Sequence, residues 1–297
     1  MKAYPPGQGR VNASRRFDRA FANPAPGNGH RLPDVQGAGV GTIALEALQL
    51  IATLGIALGL VAVVASQRPQ WDAALAESRF GYGLVVCATI VLAKLVEDVL
   101  GGETSVLDRS LLLWLHDTVP AVWGTAFGVV TLTGSFAFVT GACTLAGIGL
   151  WVRGRRVNAA SLVLTPVAAG ALIYVAKALV DRPRPTLWAA HQYWGSSFPS
   201  GHTLAVAAVA TSAYLVAGSA GRKPATVAGV AGALWVAAVG LSRLVLGVHW
   251  PSDVVAAACA GLLVGAGCHA LVTRMSAPRA RGPSARSTPG PNTSDVR

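Results

Sequence analysis

Six stretches of this chain run for nineteen or more residues without an acidic or basic side chain: Ala47 to Gln67, Thr118 to Val152, Val157 to Ala176, Pro185 to Gly221, Pro224 to Ser242 and Val254 to Thr273. A helix needs about 20 apolar residues to cross the roughly 30 Å hydrocarbon layer of a bilayer, and runs of that length are rare in soluble domains. The composition agrees: 53% of the residues are hydrophobic, only 12% are charged, and the mean hydropathy is +0.51. These values exclude disorder, collagen and a secreted disulfide scaffold for the bulk of the chain. The expected fold class is an all-α polytopic membrane helix bundle. Seven membrane segments are expected, near 42–66, 82–99, 127–152, 158–179, 203–219, 225–245 and 253–274. The second is the weakest, because Lys94 lies within it and Glu97 and Asp98 close it.

The formal charge of +11 belongs largely to the two ends of the chain. Residues 1–40 carry six basic and two acidic groups, and residues 274–297 carry five and one. Both ends are polar and rich in Pro or Gly, so disordered basic arms are expected over 1–40 and 275–297, with no cleavable leader in the first. With the charge confined to tails, a nucleic-acid partner is not expected. Cys87, Cys143, Cys259 and Cys268 all fall in apolar runs and read as small hydrophobes, not as disulfide or metal ligands.

Lys and Arg close to segment ends are retained on the cytoplasmic side. Arg153, Arg155 and Arg156, then Arg222 and Lys223, then Arg274, Arg279, Arg281 and Arg286 all fall on one face if the segments alternate. That face is read as cytoplasmic. The acidic stretch from Glu97 to Asp117 and the loops 180–202 and 246–252 then lie outside. Seven segments also place the basic N-terminal arm outside; either it is translocated, or one of the first two segments does not span. Thr104 to Leu115 is expected to be an amphipathic interfacial helix, with Leu107, Leu111, Trp114 and Leu115 on one side and Asp108 and Arg109 on the other.

Ionisable groups at membrane depth are costly unless they serve one another or a ligand. Three clusters stand out, all on the predicted outer face: Lys177 to Pro185, Phe198 to His202, and Ser242 to Asp253. Lys177, Arg184 and Arg243 supply cations for phosphate oxygens, the two guanidiniums bidentately. Ser200 and Gly201 open a helix whose N–H groups and positive dipole end suit an anion. Asp253 follows His249 by four residues, a spacing at which a carboxylate can fix the tautomer of a nucleophilic imidazole. His202 is then left to protonate a leaving oxygen. Each element alone has a plain reading as a helix stop, an N-cap or an interfacial histidine; the order, spacing and common face favour a site. Asp181 and Arg182 are expected to pair locally, with Arg182 a possible second phosphate contact. Lys94, Glu97 and Asp98 read as a segment-end ion cluster. Trp188, Tyr193, Trp194 and Trp250 read as an interfacial belt, and His30, His116, His191 and His269 carry no assigned role.

These clusters resemble the three signatures of the type 2 phosphatidic acid phosphatase superfamily: Lys, six residues, Arg-Pro; Pro-Ser-Gly-His; and Ser-Arg, five residues, His, three residues, Asp. Here they read Lys177, Arg184-Pro185; Pro199-Ser200-Gly201-His202; and Ser242-Arg243, His249, Asp253, with no departure and in the family's order. The resemblance covers about residues 82–274, implying a six-helix phosphatase core; segment 41–66 and both arms lie outside it. It implies that His249 attacks phosphorus to form a phosphohistidine, that Asp253 orients His249, and that His202 protonates the leaving group. Lys177, Arg184, Ser200, Gly201 and Arg243 would bind the phosphoryl oxygens, with no metal or other cofactor.

The expected function is therefore hydrolysis of a lipid phosphate or diphosphate, with the bilayer and a membrane lipid as partners. A phosphotransferase on the same scaffold and a non-enzymatic anion transporter are the alternatives. The Ala-, Gly-, Val- and Arg-rich composition suits a high-GC bacterial genome, and hence a bacterial plasma membrane with the site facing outward. Which lipid is the substrate, and the oligomeric state, stay open.

Overall fold

The structure is a computed structural model that describes residues 48, 51–53, 55, 69–101, 106–187 and 195–276. Among these residues all regular structure is helical: α1 (Pro69–Leu100), α2 (Val106–Thr118), α3 (Trp123–Leu132), α4 (Phe136–Val152), α5 (Arg156–Leu179), α6 (Gly201–Gly218), α7 (Arg222–Val245) and α8 (Pro251–Ser276). The expected segment 42–66 and both arms lie outside the described residues, save the few helical positions at 48–55 and the foot of α8.

Helices α5, α6, α7 and α8 are long and apolar enough to cross a bilayer, and their bounds follow the expected segments within a few residues. At about 1.5 Å per residue, the 24 residues of α5 reach about 36 Å. Large apolar side chains such as Leu145, Tyr174, Val227 and Leu234 stand exposed around the bundle, as lipid-facing residues do. The protein is an integral membrane protein. The expected segment 82–99 is the distal part of a longer helix, α1, which is not among these spans. Near its end Lys94 pairs with Asp98 at 2.7 Å and with Glu97 at 3.5 Å, as expected.

The expected single segment 127–152 is corrected to two helices, α3 and α4, bent by 49°. Thr133, Gly134 and Ser135 make the break, and Ser135 caps α4 by accepting from Phe138 N at 3.3 Å. A Cβ on Gly134 would lie 2.7 Å from Val239 Cγ1 and 3.2 Å from His202 Cβ, so only glycine lets the break press against α6 and α7. Trp235 of α7 donates to Thr133 Oγ1 at 2.9 Å and pins the break to that helix.

Helix α6 is the axis of the bundle. It packs against α4, α5, α7 and α8 and is buried without interruption from Thr203 to Val209. Its tightest neighbour is α8, where glycines at a spacing of four remove side chains from the seam. A Cβ on Gly261 would meet the Leu204 carbonyl at 2.5 Å, and one on Gly265 the Ala208 carbonyl at 2.3 Å. One core cluster joins Val139, Cys143, Leu162, Val206 and Val239 of α4 to α7; a second joins Ala169, Leu204, Ala208 and Ala257 of α5, α6 and α8. The four cysteines are free thiols.

Helix α2 packs on α7 and α8 at the end of the bundle where α5 and α7 finish and α6 and α8 begin. Its orientation differs from the expected one. Asp108, Leu112 and Leu115 are buried, whereas Leu107, Leu111 and Trp114 are exposed. Leu112 and Leu115 pack with Leu244 and Trp250, and the face that carries Asp108 turns inward because Asp108 has ionic partners there.

Candidate active site

The three polar clusters converge at one end of the bundle because each sits where a helix stops or starts. Lys177 occupies the last turn of α5, Ser200 and Gly201 open α6, Arg243 closes α7, and His249 lies in the five-residue link to α8. Two pieces of chain are laced together above them. Ser197 N donates to the Arg182 carbonyl at 2.9 Å, Arg182 N donates to Ser196 Oγ at 3.3 Å, and Trp250 Nε1 donates to the Pro183 carbonyl at 2.9 Å.

Each cation is held by protein carbonyls or hydroxyls. Lys177 Nζ donates to the Ser196 carbonyl at 2.6 Å. Arg184 reaches the carbonyls of Val248 at 2.8 Å, Gly195 at 3.2 Å and Ser196 at 3.3 Å, tying both loops together. Arg243 is buried, and its Nη1 donates to Thr131 Oγ1 at 2.7 Å. Thr131 is the penultimate residue of α3, so the break between α3 and α4 delivers a hydroxyl to the site.

His249 is buried, with Nδ1 3.5 Å from Asp253 Oδ2 and Nε2 3.5 Å from Arg184 Nη1. One ring nitrogen therefore faces the carboxylate and the other faces the cations. Burial pushes the imidazole down to about 4; Asp253 draws it upward, and Arg243 and Arg184 reinforce the fall. Asp253 Oδ2 also accepts from Trp250 N at 2.9 Å, the reach of a third-position carboxylate back to the start of its helix.

His202 is half-buried in the first turn of α6 and feels the charges of Arg243, His249, Lys177 and Arg184. Ser200 is fully buried; its N–H donates to the Asp253 carbonyl at 3.2 Å and its hydroxyl pairs with Thr203 Oγ1 at 3.0 Å. The first donor within α6 is Leu204 N, to the Ser200 carbonyl, so the N–H groups of Gly201, His202 and Thr203 precede the helical ladder. A Cβ on Gly201 would sit 3.5 Å from Ile173 Cγ2, an ordinary contact, so protein packing does not itself demand glycine there.

All eight residues singled out from the sequence are thus at one end of the bundle. Arg182 departs from its expected role. It does not pair with the exposed Asp181; it is buried and donates to Asp253 Oδ1, to Ser252 Oγ at 2.8 Å and to Asp108 Oδ2 at 2.8 Å. Asp108 was not anticipated as part of the site, although its spacing from Leu112 and Leu115 puts all three on one helical face. With Lys177, Arg182, Arg184 and Arg243 against Asp108 and Asp253, these six groups carry a formal charge of +2. Trp188, His191, Tyr193 and Trp194 lie outside the described residues, and His269 is bonded at the other half of the bundle, its Nδ1 3.0 Å from Ser161 Oγ.

Residues 158–276 match the PAP2 superfamily. The matched stretch runs from the first turn of α5 to the end of α8 and contains every signature residue, whereas Asp108 and Thr131 reach the site from outside it. The fold is similar to that of the transmembrane PAP2-type phosphatidylglycerolphosphate phosphatase of Bacillus subtilis, with TM-score 0.55 and 21% identity over 65% of this chain and 98% of that one. Aquifex aeolicus LpxE is also similar, with TM-score 0.45 and 22% identity over 58% of this chain and 98% of that one. No curated protein matches the chain.

Proposed function

We propose that this protein is an integral membrane phosphatase that hydrolyses a lipid phosphate or diphosphate on the extracytoplasmic face, without metal, through a phosphohistidine. The observation that carries the reading is the two-sided environment of His249: Nδ1 toward Asp253, Nε2 toward the guanidinium of Arg184. A carboxylate behind the ring suits a nucleophile, because the ring becomes cationic as the bond to phosphorus forms.

In this reading Lys177, Arg184, Arg243 and the start of α6 at Ser200 and Gly201, where the N–H groups of Gly201, His202 and Thr203 precede the helical ladder, hold the phosphoryl oxygens. The net charge of +2 on the surrounding groups complements a dianion. The Nε2 lone pair forms the N–P bond while the P–O bond to the lipid breaks, and His202 gives its proton to the departing oxygen. A water then attacks phosphorus, loses its proton to His202, and the N–P bond breaks to release inorganic phosphate. The alternating direction of α5 to α8 supports the outward face: Arg153, Arg155, Arg156, Arg222, Lys223 and Arg274 lie at the opposite end. Within this class, a polyprenyl diphosphate or a glycerolipid phosphate suits a site at the end of a bundle whose outer helices carry exposed apolar side chains.

The test is phosphate release by detergent-purified protein in EDTA, from polyprenyl diphosphate, diacylglycerol diphosphate and phosphatidate, beside His249→Ala. Release from one lipid, abolished in the variant, supports the reading and identifies the lipid. Turnover retained in His249→Ala would sink it, and consumption of the lipid without free phosphate would favour transfer to another acceptor.

A further inference from the structure

A buried guanidinium with two carboxylates is costly to assemble, because desolvation offsets the attraction unless the geometry and further hydrogen bonds are good. Arg182 spans Asp253 and Asp108, residues 71 and 74 positions away in the chain, on two different helices. Its guanidinium carbon also lies 5.9 Å from the centre of the Trp250 ring. Asp108 is fixed in turn by Ser252, whose N–H donates to Oδ1 at 2.8 Å and whose hydroxyl donates to Oδ2. Both oxygens of Asp253 are thereby committed, Oδ1 to Arg182 and Oδ2 to Trp250 N and the His249 side.

We infer that Arg182 and Asp108 are positioning residues of the reaction centre, which set the orientation and the net charge of the Asp253 carboxylate and, through it, support His249. The consequence for turnover rests on the phosphatase reading above. Arg182 by itself would cancel the charge of Asp253 and leave the imidazole without a negative field. Asp108 restores one negative charge to the trio, matching the positive charge that His249 acquires when it carries a phosphoryl group. The other groups whose charge His249 meets are Arg243 on α7, Arg184 in the link after α5, His202 on α6 and, through Asp253, Lys177 on α5; they add positive charge or none. The supporting field at the ring therefore comes from the trio.

Charge bookkeeping separates this role from a merely structural one. Asp108→Asn is nearly isosteric and leaves the trio neutral; kcat is expected to fall about 10- to 100-fold with KM little changed. Arg182→Gln leaves two facing carboxylates and is expected to lose more. The double variant has a single negative charge again and should exceed Arg182→Gln in kcat, whereas a lost scaffold would not be rescued by a second lesion. Each variant is measured with the three lipids named above, after size-exclusion chromatography in detergent; should Arg182→Gln not fold, the Asp108→Asn arm decides.

A second readout needs no turnover. The ¹⁵N shifts of the ring in histidine-labelled protein should show His249 protonated on Nδ1 in the wild type and a mixture of tautomers in Arg182→Gln. Wild-type kcat in Asp108→Asn, a double variant no better than Arg182→Gln, or an unchanged tautomer in Arg182→Gln overturns the inference. Absence of turnover in the wild type itself overturns the phosphatase reading, and the nitrogen shifts then decide the role of the trio independently.

Discussion

The state of His249 sets the pH range over which the site can work. Because burial favours the neutral ring, the lone pair on Nε2 is present throughout the neutral range and is lost only as pH falls through about 4. The expected acid limb of kcat/KM is therefore centred near that value; a limb near the ordinary histidine value of 6.5 would show that the ring is wetter or better paired than its surroundings imply. Several residues legible in the sequence have their neighbours in the site within a few positions, as His249 and Asp253 do, or within one helix start, as Ser200 to His202 do. Arg182 was misread because a neighbour in sequence, Asp181, offered a pairing as plausible as the distant one. Asp108 was missed because its hydrophilicity suggested water, while the periodicity of Leu112 and Leu115 placed it on the buried face.

Among the elements, the bounds of α5 to α8 could be read directly, since charge-free length fixes a bilayer-crossing helix. The break between α3 and α4 could not, because Thr133, Gly134 and Ser135 are apolar enough to pass as part of one segment. Only the contacts of Gly134 with Val239 and His202 reveal the need for a bend. The α6–α8 seam gives a sharper test. Leucine at Gly265 would drive a Cβ to 2.3 Å from the Ala208 carbonyl, which belongs to a helix and cannot swing away. Gly265→Leu is expected to cost at least about 1–3 kcal/mol, read as a lower unfolding temperature in detergent. Gly267→Leu has open space around it and serves as the control. Equal behaviour of the two variants would mean that the helices meet elsewhere.

The molecule as a whole is polarised, with the reactive groups at one end and arginine-rich turns at the other. The proposed orientation predicts that Asp181→Cys in intact cells reacts with a membrane-impermeant maleimide and that Lys223→Cys does so only after permeabilisation. The reverse pattern would turn the protein over. This polarity was legible because the rule that sorts charges across a membrane acts on loop composition alone. The position of α2 was not, because its docking depends on a buried ion pair that no local pattern encodes.

The burial of α6 along its first half has a consequence for how such a protein can diversify. The helix that carries His202 is packed by α4, α5, α7 and α8, while large exposed apolar side chains such as Leu145, Tyr174 and Leu234 stand on the outer helices. Substitutions on that rim change what the bilayer meets without disturbing the packing around His202. The outer surface can thus drift with the membrane around it while the buried end of α6 stays as it is.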